Sequence, residues 1–164
     1  MKATIFVAAL LLFWCGCTLQ QPNQLTQQQQ DQIKSEVKAT CDSIVVRWER
    51  LDAEGSLQCY SPELVVVNDS ARTDFATYKK GWVEYTPSLA ATKWTTIRVD
   101  VIALTADLAL CTGVWKSEDY LKSGDKETYN PIAYTLLFKK VAGQWKVTYS
   151  HASGVPVVQK AAKK

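Results

Sequence analysis

Three observations predict an α+β fold with helices first and a sheet after them. Apolar residues recur every three or four positions in the first half of the chain and alternate with polar ones in the second. The chain also closes on two β-rich runs, 135–140 and 145–154, joined by a short glycine-containing turn at 141–144. Helical segments followed by consecutive strands pack as helices on one face of an antiparallel sheet.

The first helix is predicted over 27–51. Thr26 and Gln29 have the spacing of a capping box. Ile33, Val37, Cys41, Ile44, Trp48 and Leu51 form its apolar stripe, with Lys34, Glu36, Lys38, Arg47 and Glu49 off it. Asp52 can cap a short second helix through Cys59, stopped by Ser61-Pro62. A buried strand follows over 64–67 and ends at Asn68-Asp69-Ser70. Asp74 caps a third helix that places Phe75, Tyr78, Trp82 and Tyr85 on one face and closes near Thr86-Pro87.

The rest reads as a four-stranded meander over 94–104, 108–119, 128–140 and 145–154. In the first of these strands Ile97, Val99 and Val101 should meet the core, leaving Arg98 and Asp100 as an exposed pair worth little. In the last, Trp145, Val147, Tyr149, His151 and Ser153 should share a face, because side chains alternate along a strand. That ladder turns polar at its end, as suits a strand running from a core into a cavity.

At 164 residues the chain allows one domain, and 47% apolar with 21% charged residues is a globular composition. A net charge of +3 with no basic, aromatic-interleaved stripe gives no case for nucleic acid. Residues 157–164 read as a basic, solvated tail ending in Lys163 and Lys164. At the other end, Met1-Lys2 precedes an uncharged apolar run over 5–14, a signal-peptide length too short to span a bilayer. The following Gly16-Cys17 resembles a bacterial lipoprotein signal. That resemblance implies removal of 1–16, lipidation of Cys17 (palmitate among its acyl chains) and a membrane-anchored protein of the cell envelope facing the periplasm or exterior. Trp14 departs from the usual aliphatic residue, and ordinary secretion is the alternative. An uncharged, Gln-rich segment over 17–30 reads as a tether. Cys41, Cys59 and Cys111 then remain: an odd number, with Cys41–Cys59 the disulfide to test and three small buried hydrophobes the alternative. One histidine and no Cys-x-x-Cys pair leave no expected metal site.

This order of elements over 27–156, and the final Trp-Lys-Val-Thr-Tyr-Ser-His-Ala-Ser-Gly strand, resemble the cone-shaped nuclear transport factor 2-like superfamily. Its members include SnoaL-like domains, ketosteroid isomerase, limonene epoxide hydrolase and the calcium/calmodulin-dependent kinase association domain. The resemblance implies a pocket between curved sheet and helices, no cofactor, and a homodimer paired through the uncovered sheet face. The candidate lining is aromatic: Trp48, Tyr60, Trp82, Trp115, Tyr134 and Tyr149, with His151 as the candidate acid or base. The isomerase pattern does not carry over, because the first helix holds no tyrosine. Arg98-Val99-Asp100 matches the epoxide hydrolase triplet one strand too early. Asp69 could reach a pocket mouth or simply complete a turn. Three functions stay open: a domain binding a small, largely apolar or carboxylate-bearing molecule, a cofactor-independent isomerase, hydrolase or cyclase, and an oligomerising hub.

Overall fold

The computed structural model describes residues 24–68 and 71–161. The signal-like segment, Cys17, Asp69 and the last three residues lie outside the described residues. Helix α1 (Gln27–Glu49) starts on the expected capping box: the Thr26 hydroxyl accepts from the Gln29 N–H, and Gln29 Oε1 accepts from the Thr26 N–H at 2.9 Å. Its buried stripe is Ile33, Val37, Cys41, Ile44 and Trp48. Asp52 caps α2 (Ala53–Leu57), and Asp74 caps α3 (Phe75–Tyr85) by accepting from the Thr77 N–H at 2.8 Å.

Strand β1 (Tyr60–Asn68) begins at the Ser61-Pro62 stop expected to precede it, and β2 (Ala71–Asp74) folds back on it as a hairpin that the sequence reading took for a plain stop. The meander is β3 (Leu89–Thr105), β4 (Leu108–Leu121), β5 (Lys126–Val141) and β6 (Gln144–Ser153). Val157–Gln159, read as tail, forms a short β7 against β5. Sheet order is β2-β1-β6-β5-β4-β3, antiparallel except where β1 meets β6. The helices bury the sheet's inner face around Val37, Ile44, Leu64, Val66, Phe138 and Val147.

Two bulges change which residues face inward. In β3 the register slips between Thr96 and Arg98, so Ile97 is 57% exposed, and only Val99 and Val101 of the expected three pack on the core. In β6, Phe138 opposes Val147 and Leu137 opposes Tyr149, which leaves Thr148 as an extra residue. An extra residue exchanges every later side chain between the two faces. Past it, Ser150 lies in register with buried Leu136 and Val66, while His151 joins Thr135 and Val67 on the outer face.

Off the apolar stripe of α1, Glu36 is tied to the sheet. It accepts from Lys140 Nζ at 2.8 Å and from the Trp145 indole N–H at 2.7 Å. These hydrogen bonds, that from Lys140 foremost, hold its carboxyl down to about 2.

Candidate functional site

Between α1, α3 and the inner sheet face lies a cavity in two parts. The deep chamber, about 50 Å³, is lined by Trp48, Tyr60, Tyr78, Trp82, Trp94, Trp115, Tyr134 and smaller neighbours including Cys41, Leu136 and Ser150. The mouth chamber, about 210 Å³, shares Trp82, Trp94 and Tyr134 with it and adds Asn68, Tyr85, Ser117, Asp119, Tyr129 and Ile132.

Local structure explains the rings' positions. The helical stripe of α3 sets Tyr78, Trp82 and Tyr85 side by side, with ring centroids 6.0 and 5.9 Å apart, and Trp82 lies 4.2 Å from Trp48 of α1. Strand β4 alternates without interruption, burying Ala109, Cys111, Gly113, Trp115, Ser117 and Asp119. Gly113 belongs in that row because Trp115 folds back over it: a Cβ there would sit 2.2 Å from the indole. The Trp115 ring then meets Tyr134 edge-on at 5.0 Å.

The polar groups gather at the mouth. Asp119 is 6% exposed and accepts from the Thr92 hydroxyl. The Tyr85 phenol lies 3.1 Å from Asp119 Oδ2 and 3.1 Å from Glu127 Oε2. Burial, reinforced by these two carboxylates, pushes the Tyr85 phenol far above its ordinary range, so it stays protonated and donates. Deeper in, burial raises Tyr60, Tyr78 and Tyr134 as well, so the chamber holds neutral phenols and no phenolate base.

Of the side chains expected in the pocket, Trp48, Tyr60, Trp82, Trp115 and Tyr134 line it. Tyr149 and His151 do not, because the bulge at Thr148 turns both to the outer face. The cysteines take the unpaired of the two expected forms: Cys41 lies 3.7 Å from Cys111 across the α1–β4 contact, Cys59 sits apart just past α2, and all three are free thiols, Cys59 only half-buried. Arg98 and Asp100 form the expected exposed pair, at 2.6 Å. Among the described residues no group of three His, Cys, Asp or Glu side chains could hold a metal ion, and no helix is long and apolar enough to cross a membrane.

Sequence reasoning missed Trp94, Tyr129, Ser117, Asp119, and the Tyr85–Glu127 contact. For two of them a signal existed: counting in twos from Trp115 along β4 reaches Ser117 and Asp119.

The SnoaL-like domain family model matches residues 37–158. The chain belongs to this family. No curated protein matches its sequence. Among solved structures, a candidate scytalone dehydratase from Novosphingobium aromaticivorans superposes with a TM-score of 0.67 at 14% identity, covering 79% of this chain and 88% of that one. A candidate dehydratase of the nuclear transport factor 2-like family from Streptomyces avermitilis gives 0.65 at 17%, covering 76% and 97%. A candidate calcium/calmodulin-dependent protein kinase II association domain from Xanthomonas campestris gives 0.63 at 20%, covering 73% and 86%. At these identities the likeness establishes the nuclear transport factor 2-like fold and leaves the SnoaL-like domain's activity to its site.

Proposed function

We propose that this SnoaL-like domain binds a small molecule in the two-part cavity, with an apolar body among the rings and a polar group at the mouth. The observation that carries this reading is the cavity itself: rings wall both chambers, and the polar side chains converge at one end. Its volumes fall at or below the ~300 Å³ low end of usual ligand pockets, which favours a compact ligand. None of the residues lining either chamber is Lys, Arg or His, so a carboxylate-bearing ligand would meet Asp119 with no counter-charge. That argues against the carboxylate half of the sequence-based expectation.

Catalysis by His151 loses its support, since the imidazole is on the outer face. The dehydratase-like relatives keep a lyase reading open, and here it would rest on Asp119 and Tyr85. A hub without a ligand is less favoured, because the rings leave space between them. As further parts of the proposal, the domain is tethered to a cell-envelope membrane through Cys17 and pairs as a homodimer through its open sheet face.

The cavity is tested by titrating benzyl alcohol and following tryptophan fluorescence, in the wild type and in Ser117→Leu, which fills the mouth. Saturable binding in the wild type, weakened at least about tenfold in a folded Ser117→Leu, is expected from blocking a pocket of this kind. Equal affinities in the two proteins would contradict the reading.

A further inference from the structure

We propose that the mouth chamber receives the ammonium group of a small protonated amine, whose apolar body lies among the rings behind it. This rests on the ligand-binding reading above and names its ligand class. A charged carboxylate is almost never buried without a partner of opposite charge. Asp119 is 6% exposed, its described hydrogen-bond partners are the hydroxyls of Thr92 and Tyr85, and no cationic side chain lines the chamber. The nearby Lys116 and Lys126 are committed to Glu118, which points to the other sheet face, at 3.2 and 2.5 Å.

The proton count at the mouth leads the same way. The Tyr85 phenol has one proton for two carboxylate oxygens, each 3.1 Å away, so one contact always lacks a donor. Ser117, 2% exposed, opens on the same chamber two residues before Asp119. An ammonium brings three donors, enough for both Asp119 and Ser117, while an alcohol brings one and a carboxylate none. The rings of Trp82, Trp94, Tyr129 and Tyr134 wall the space, and aromatic faces attract cations.

The test is calorimetric titration of the wild type with benzylammonium, benzyl alcohol and benzoate at neutral pH and low salt. These probes share a ring and differ in charge. Benzylammonium should bind at least about tenfold more tightly than benzyl alcohol, the scale of a hydrogen bond to a charged group, with benzoate weakest. Asp119→Asn keeps an acceptor for Thr92 and should reduce benzylammonium to the affinity of benzyl alcohol. Glu127→Gln, at the half-exposed rim, serves if Asp119→Asn does not fold; it should weaken benzylammonium and spare benzyl alcohol. Benzyl alcohol binding as tightly as benzylammonium, or a cation preference that survives both substitutions, would overturn the amine assignment and leave the cavity reading standing. Failure of all three probes to bind saturably would overturn both.

Discussion

At Gly113 a missing methyl group makes room for an indole. With a Cβ placed 2.2 Å from Trp115, Gly113→Ala must push that ring toward the deep chamber. Overpacking of this kind costs about 1–3 kcal/mol, to be read from urea denaturation, and a smaller chamber should also weaken benzyl alcohol. His151 supplies the opposite case. Since the imidazole faces away from the cavity, His151→Gln should leave benzyl alcohol affinity and its pH dependence unchanged. A shifted affinity or pH profile in titrations of the variant would place His151 back at the site. The two residues also mark what could be read from the chain. Asp119 follows from Trp115 by simple alternation along an unbroken strand, whereas His151 follows from Trp145 by the same rule and ends on the wrong face.

The difference arises at the level of elements. Helix starts depend on neighbours in sequence, so the caps at Thr26, Asp52 and Asp74 were legible. A bulge is an event between two strands, and nothing in Val147-Thr148-Tyr149 announces that Leu137 and Phe138 will face three residues there. The β1–β2 hairpin and the meeting of Tyr85 with Glu127 likewise depend on placement in space. Glu36 was invisible for the same reason: its partners Lys140 and Trp145 lie over a hundred residues away. Its consequence is testable by pH. The folded-state pKa, about 2, lies below the ~4.3 of an unfolded glutamate. The stabilisation is therefore fully present above ~4.3 and is lost as pH falls toward 2. Glu36→Gln should lower Tm near neutrality, and the gap from wild type should narrow through that acid window. Parallel Tm curves down to pH 2 would show that Glu36 does not hold α1 to the sheet.

On the scale of the whole molecule, the cone has one face covered by helices and one left open. Across the open face run an apolar row, Ile102, Leu110, Leu137, Tyr149 and Val65, and a row with four polar members, Asp100, Thr112, Thr135 and His151, that ends on Val67. An apolar centre beside polar groups suits the proposed homodimer, and Leu137→Arg should convert a dimer to monomers in sedimentation experiments. A monomeric wild type at high concentration would remove that proposal. The inner face carries the central claim, that the ring-lined space takes a ligand. Five indoles in the described chain report on it separately: Trp48, Trp82, Trp94 and Trp115 line the cavity, while Trp145 is held by Glu36 outside it. The direct measurement is a benzyl alcohol titration followed through the indole N–H signals in a ¹⁵N NMR spectrum. Saturable shifts at Trp82 and Trp94, the indoles common to both chambers, with Trp145 unmoved, are the predicted result. Shifts that stay linear with concentration, or that are as large at Trp145 as at Trp82, would contradict it.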